Sequence, residues 1–223
     1  MAHTNAQCDM LLFEKLFNQP FSAKSMDAIV SNIPLAISQV SINIVRILNT
    51  TADIISAAIG GAPCAACVKV FTDRNDTSQI GEMRLITLAR DETSDNERPG
   101  VKMAARVREN SANLGLIKVN GGEHYYMCND LKAAVSKREY ATASSDWHRY
   151  YNATLVVPIP DLAENAVLPM RGLLCVDSLE GKFDHDLCVH YLKELAWRIG
   201  VMLHYLEGLG RHSPPRAAQT MTV

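Results

Sequence analysis

The chain has 223 residues, of which 48% are hydrophobic and 21% charged, and its formal net charge is −2. This balance indicates one globular domain and excludes the basic surface typical of nucleic-acid-binding proteins. No apolar run approaches the roughly 20 residues of a membrane-spanning helix, and residues 1–10 lack the pattern of a signal peptide. We therefore expect a cytoplasmic protein that binds neither nucleic acid nor membranes and keeps its cysteines reduced.

The N-terminal part of the chain has helical periodicity. Apolar spacing predicts short helices over residues 8–17 and 23–30, and then a long helix over residues 34–59 with Ser31-Asn32 as its capping residues. Two neighbouring apolar stripes run along the long helix. One can cover a sheet, and the other can be buried within the domain or contact a second copy of the chain; the spacing leaves both possibilities open.

The middle of the chain predicts strands and polar connections. Residues 65–71 and 84–90 read as two strands joined by turn residues, which indicates an antiparallel hairpin. Residues 91–100 are charged, contain Pro and Gly and lack aliphatic side chains, so we expect a mobile loop. Residues 101–114 fit a helix with one apolar side.

A third strand is predicted over residues 124–130, a helical turn over residues 131–140 and a polar loop over residues 141–149. The two central strands follow at residues 153–159 and 172–176. Neither strand alternates between polar and apolar residues, which is typical of strands buried on both faces.

We expect Val156 and Leu174 to lie side by side in the middle of the sheet. Aspartates near residue 184 begin the last helix, whose apolar side reaches Leu206.

This order of elements predicts an α+β fold with α/β/α layers. An antiparallel sheet of five to six strands would carry the N- and C-terminal helices on one face and short helices and loops on the other. We divide the chain into an N-terminal helical extension (residues 1–32), one domain (residues 33–209) and a disordered tail (residues 210–223).

Three segments resemble the GAF domain. They are YYMCND with Asn129-Asp130 at a strand end, YYNATLVVPI running into Pro158, and RGLLCVDS followed by FDHD and an amphipathic helix. The resemblance covers residues 33–209 and implies a PAS-like fold. It also implies a non-catalytic sensor or regulatory module in signal transduction.

GAF domains take ligands that include cyclic nucleotides, haem, bilins, amino acids and 2-oxoacids, usually between the sheet and the short helices. Here that wall would be residues 113–151, while the identity of the ligand or cofactor is open. The resemblance further implies a homodimer through the terminal helices. Output would pass through the dimer or through an effector protein.

The predicted ligand contacts are polar and aromatic side chains near this wall: Asn129, Asp130, Ser144, Ser145, Trp147, Tyr150, Tyr151 and Asn152. Aromatic faces beside hydrogen-bonding groups suit a small polar ligand. The structural alternatives are that Asp130 caps the next helix and that Trp147 fills the core. The sequence favours the capping role for Asp130 and leaves the role of Trp147 open.

Four cysteines are redox candidates: Cys64, Cys67, Cys128 and Cys175. The first two form a lone CxxC, which lacks the second pair of a zinc site. Cys128 and Cys175 fall on strands that we expect to be near each other. This allows a different function, a thiol-based redox sensor or an enzyme like free methionine-(R)-sulfoxide reductase, although the Trp- and Gly-rich segments of that family are absent.

No HExxH, phosphate-loop, GxGxxG or GxSxG motif occurs, so we predict no catalytic residue and no metal site. A third possibility is a GAF fold that binds no ligand and serves as an interaction scaffold.

Overall fold

The computed structural model describes residues 23–72, 82–97, 105–118, 125–142, 144–163, 166 and 168–212. Its helices are α1 (Ala23–Ala58), α2 (Glu92–Glu97), α3 (Ser111–Lys118), α4 (Leu131–Ser136) and α5 (His185–His212), with 3₁₀ turns at Val107–Glu109 and Trp147–Arg149. Its strands are β1 (Cys64–Phe71), β2 (Arg84–Arg90), β3 (Ala105–Arg106), β4 (Tyr126–Cys128), β5 (Ala153–Pro160) and β6 (Met170–Ser178). The predicted helix at residues 8–17 lies outside the described residues.

The six strands form one antiparallel sheet in the order β3-β2-β1-β6-β5-β4. This confirms the predicted fold class, the β1–β2 hairpin and the pairing of β5 with β6. The predicted contact of Val156 with Leu174 is offset by one residue, because Val156 lies opposite Cys175 and Val157 opposite Leu174. Since side chains alternate along a strand, Val156 and Leu174 point to opposite faces of the sheet.

The back face of the sheet is covered by α1 and α5, which we call the back layer. Its centre is a fully buried cluster that includes Ile44 and Leu48 of α1, Leu174 of β6, and Leu192 and Ile199 of α5. Burying each such side chain contributes about 2 kcal/mol to folding. The centre of the two α1 stripes, including Ile44, Leu48 and Ile55, is therefore buried within the domain, whereas Ile37 and Ile54 are exposed. The terminal helices share one face as predicted.

The front face is covered by α3, α4, residues 137–142 and residues 144–152, which together we call the front layer. Val156, Leu173 and Cys175 pack there against Leu131 and Tyr140. Within the described residues, no helix combines the length and the apolar composition needed to cross a membrane.

Helix α1 is continuous from Ala23 to Ala58. The predicted break at Ser31-Asn32, between helices at residues 23–30 and 34–59, is therefore wrong. At the other end of the chain, α5 extends through residues 210–212, which had been assigned to the disordered tail.

The loop predicted at residues 91–100 contains helix α2. The buried carboxylate of Asp91 caps the N-terminus of this helix. Asp91 Oδ1 accepts from the Ser94 amide at 2.9 Å, and Oδ2 accepts from the Ala66 amide of β1 at 2.7 Å. A polar helix of six residues is stable here because its N-terminus is capped by a group that is also bonded to the sheet.

The helix predicted over residues 101–114 is also wrong for residues 105–109. Ala105 pairs with Leu85 as an edge strand, and the Val107 amide donates to the Met83 carbonyl at 2.8 Å. Val107 itself is fully buried. Hydrogen bonds to β2 and its flank thus outweigh the helical periodicity of this segment.

Candidate functional site

The strand register sets front-face side chains in rows. One row runs from β2 to β4 through Arg90, Cys67, Cys175, Val156 and Tyr126. The next row contains Ala65, Asp177, Thr154 and Cys128. In that row the Thr154 hydroxyl donates to Asp177 Oδ1 at 2.6 Å. The front face thus carries thiols, charges and hydroxyls, whereas the back face is aliphatic.

Lys69 is a cation on the front face, two residues from Cys67 on β1. It lies opposite Leu173 of β6 and Thr87 of β2 and alternates with Cys67, which places it on the same side of the sheet. The side chain is partly buried, and nearby Cys175 and Cys67 raise its pKa. Among the described residues, its ammonium forms no ion pair with a carboxylate.

The sequence analysis did not identify Lys69 as a site residue. A signal was present, because in the strand CVKVF a period of two places Lys69 on the face of Cys67 and Phe71. The sequence does not show that β6 pairs with β1, which brings Cys175 close to Lys69.

Three predicted ligand residues have structural hydrogen bonds. Asn129 accepts from the Phe183 amide at 2.7 Å and donates to its carbonyl at 3.1 Å, which fixes the entry to α5. Asp130 caps α4 by accepting from the Ala133 amide at 3.0 Å, the structural role that the sequence favoured. The side chain of Asn152 accepts from the Lys132 amide at 3.0 Å.

The predicted aromatic residues form a wall in the front layer. The rings of Trp147 and Tyr151 lie 5.7 Å apart, and Trp147 meets Tyr140 edge-on at 6.1 Å. Tyr140 stacks in turn on Tyr126 of β4 at 6.2 Å. Trp147 packs against the buried cluster of the front layer but is itself only partly buried, so part of its ring remains accessible.

The electrostatics of this wall follow from burial, which raises the pKa values of Tyr140 and Tyr126. A neighbouring hydrogen bond from the Asn110 amide to the Tyr140 hydroxyl, at 3.1 Å, partly offsets the effect for Tyr140. Both phenols are therefore neutral hydrogen-bonding groups at physiological pH.

The remaining predicted ligand residues lie at the rim. Ser144 and Ser145 are exposed, and the Ser144 hydroxyl donates to Asp146 at 3.1 Å. Tyr150 is partly buried at the end of the 3₁₀ turn that begins at Trp147. Of the predicted set, the structure brings Trp147 against Tyr151 and binds Asn152 to the start of α4, while Ser144 and Ser145 stay exposed.

The redox candidates are arranged differently from the predicted pairs. Cys64 and Cys67 lie three residues apart on β1 and so face opposite sides of the sheet, roughly 10 Å apart along the strand. That separation exceeds the span of a disulfide. Strand β5 separates Cys128 on β4 from Cys175 on β6, so these two do not contact across adjacent strands.

The pair that the sequence analysis missed is Cys67 and Cys175, which are directly opposite each other on β1 and β6 and are both buried. The Cys175 side chain lowers the pKa of Cys67, whereas the Cys67 side chain and burial raise the pKa of Cys175.

A cavity of about 220 Å³ lies beside β2, and its lining includes Arg90, the residue opposite Cys67. It is bordered by α1, β2, α2 and the end of α5, and Ile44, Leu88 and Leu206 contribute to its apolar lining. None of the predicted ligand residues lines it.

Comparison with known proteins finds no matching family model and no matching curated sequence. Among solved structures, the GAF domain of a phosphoenolpyruvate-protein phosphotransferase from Coxiella burnetii is 13% identical, covers 82% of this chain and 98% of that chain, and has a TM-score of 0.50. The corresponding Acinetobacter domain is 15% identical, covers 84% and 96%, and has a TM-score of 0.49.

The GAF-B domain of DevS from Mycobacterium smegmatis is 12% identical, with coverages of 75% and 98% and a TM-score of 0.43. At these identities the likeness concerns architecture, and the Coxiella domain provides it over nearly its whole length. The six-stranded antiparallel sheet with its terminal helices on one face is therefore the fold of a GAF domain.

Proposed function

We propose that the chain is a non-catalytic sensor or regulatory module that binds a small anionic molecule between the front face and the front layer. The observation that carries this proposal is the position of Lys69. Cys175, Cys67 and Asp177 raise the pKa of Lys69, so its half-buried ammonium stays charged, yet among the described residues no carboxylate lies within ion-pair distance of it. A ligand carboxylate or phosphate would supply such a direct partner.

The aromatic wall offers contacts for the uncharged part of such a ligand. Trp147 and Tyr151 offer ring faces and Tyr140 a neutral hydroxyl near the sheet. Binding sites commonly combine an apolar surface with a few polar groups that fix orientation. We assign the ligand contacts to this wall and Lys69, with Ser144, Ser145 and Tyr150 at the rim. Asn129, Asp130 and Asn152 keep their structural hydrogen bonds at the entry to α5 and at the start of α4.

The output would pass through a homodimer or an effector protein bound to the terminal helices. Helix α5 exposes Leu187 at 58% and Trp197 at 53%, with Tyr205 further along the same helix. Leu35 and Ile42 of α1 are exposed seven residues apart, which places them on one side of that helix. Large apolar side chains at helical spacing favour a helix-to-helix contact.

The two tryptophans allow ligand binding near Trp147 to be distinguished from a change near Trp197 on α5. In Trp197→Phe the remaining emission comes from Trp147, and in Trp147→Phe it comes from Trp197. Titration with small carboxylates and phosphates should change the emission of the first variant and leave that of the second unchanged. An equal response in both variants, or no response in either, contradicts the assignment of Trp147 to the ligand site.

Native mass spectrometry of freshly purified protein tests retention of a ligand, with denaturing extraction to identify it. We expect the ligand in the wild type and in Lys182→Met, which changes an exposed lysine, and its loss in Lys69→Met, which keeps the aliphatic stem. A wild type that retains nothing and responds to no anion would contradict ligand binding. The interaction-scaffold function would then be favoured.

A further inference from the structure

The strongest feature outside the ligand proposal is the facing pair Cys67 and Cys175. In antiparallel strands, directly opposed residues have Cα atoms about 4.5 to 5.5 Å apart, within the range that a disulfide bridges. Both side chains are buried on the same front face of the sheet. Little backbone movement is therefore needed to join them, in contrast to every other combination of Cys64, Cys67, Cys128 and Cys175.

We propose that Cys67 and Cys175 are a peroxide-sensitive dithiol that closes to a reversible disulfide between β1 and β6. Cys67 is the attacking thiol, since its neighbours are cationic. Arg90 lies opposite it on β2, and Lys69 is two residues further along its own strand on the same face. The Cys175 side chain and both positive charges stabilise a thiolate at Cys67.

The oxidation balances with one molecule of hydrogen peroxide. The Cys67 thiolate attacks one peroxide oxygen, the O–O bond breaks, and the departing hydroxide takes a proton to become water, which leaves a sulfenic acid at Cys67. The Cys175 thiolate then attacks the Cys67 sulfur, the S–O bond breaks, and a second hydroxide leaves as water. Two thiols and one peroxide thus become one disulfide and two waters, and a dithiol reductant reverses the change.

The burial of the pair selects the oxidant. Cys67 is only 5% exposed and Cys175 only 3%, under the front layer. A small uncharged peroxide can reach such a site, whereas glutathione disulfide is bulky and charged. We therefore expect hydrogen peroxide, and not glutathione disulfide, to oxidise the folded protein.

Peptide mapping of the full-length protein tests the proposal. Reduced protein is treated with hydrogen peroxide, quenched with catalase, and alkylated during denaturation so that no disulfide exchanges. We expect four alkylated cysteines instead of six and a cross-linked peptide joining Cys67 to Cys175. Recovery of six alkylated cysteines after peroxide treatment, or a cross-link between another pair, would overturn the proposal.

Matched variants locate the chemistry. Cys64→Ser and Cys128→Ser should keep the cross-link, whereas Cys175→Ser should lose it and accumulate a sulfenic acid at Cys67 that dimedone traps. Sulfenic acid on Cys64 or Cys128 instead would overturn the assignment of Cys67. Cross-linking by glutathione disulfide at the peroxide rate would overturn the size selection, and the wild-type peptide map decides the pairing even if a variant fails to fold.

Discussion

Arg171 of β6 binds Asp161 at the end of β5, with its Nε and Nη2 each 3.1 Å from the same carboxylate oxygen. The sheet skips Arg171 between the pairs Ile159–Gly172 and Pro160–Met170, and this bulge turns its side chain toward α5. There it donates to the Leu203 carbonyl at 3.3 Å. Arg171 thus ties the end of the central strands to the C-terminal helix.

Replacing Arg171 should therefore destabilise the fold strongly. Arg171→Ala leaves the buried Asp161 carboxylate and the Leu203 carbonyl without this donor, and we expect the free energy of unfolding to fall by about 3 to 5 kcal/mol. The control is Arg198→Ala, which removes an exposed pair with Glu194 and should cost at most about 0.5 kcal/mol. Urea unfolding measures both, and equal losses would contradict the structural role of Arg171.

Two helix caps differ in burial and should differ in energy. Asp91→Ala removes the acceptor of the Ser94 and Ala66 amides in a buried place, so we expect a loss of about 3 kcal/mol. Asp130→Ala removes an exposed cap and should cost about 1 kcal/mol. If the two variants unfold at the same urea concentration, the bond from Asp91 to β1 contributes nothing measurable.

The central strands were the most predictable part of the molecule. Residues 153–159 and 172–176 were predicted; β5 begins as predicted and ends one residue later, and β6 is two residues longer at each end. Continuous apolar runs bounded by Pro, Gly and Asp identify such strands without knowledge of the partner. The back layer followed from helical periodicity for the same local reason.

The candidate site depends on contacts between distant segments, which periodicity does not contain. The pairing of Cys67 with Cys175 is set by the β1–β6 register. The sequence does not show the hydrogen bond between Asn129 and Phe183, 54 residues later, and Asn129 was therefore interpreted as a ligand residue. The sequence likewise does not show the hydrogen bond from the Ala66 amide of β1 to Asp91, and the segment of helix α2 was therefore interpreted as a loop.

The exposed apolar side of α5 predicts self-association. Changing Leu187 and Trp197 to Glu places charges on this side, and we expect a homodimer to become a monomer without loss of helix content. Leu179→Glu is the matched control, since Leu179 is 44% exposed but lies outside the helices. Light scattering after gel filtration gives the mass, and a wild-type monomer or a dimer that survives the double change would contradict this interface.

Alkaline pH should destabilise the protein through groups that burial keeps protonated. Burial raises the pKa of Cys64 from an ordinary value of 9.0 to about 12 and also raises those of Tyr126 and Tyr140 above 10.0. Above about pH 9 the unfolded chain therefore binds fewer protons than the folded chain, and the free energy of unfolding decreases as pH rises. Below that pH both states are protonated at these groups and the stability they contribute is complete.

Urea unfolding between about pH 8 and about pH 11 measures this decline. Cys64→Ala should flatten the curve, because its thiol no longer titrates in the unfolded chain, and Tyr140→Phe should do so at slightly higher pH. Leu174→Ala serves as the control, since it removes a fully buried side chain that does not titrate and should lower the whole curve by about 2 to 5 kcal/mol without changing its slope. A wild-type curve that stays level over this range, or a Cys64→Ala curve parallel to the wild type, would contradict the role of burial at Cys64.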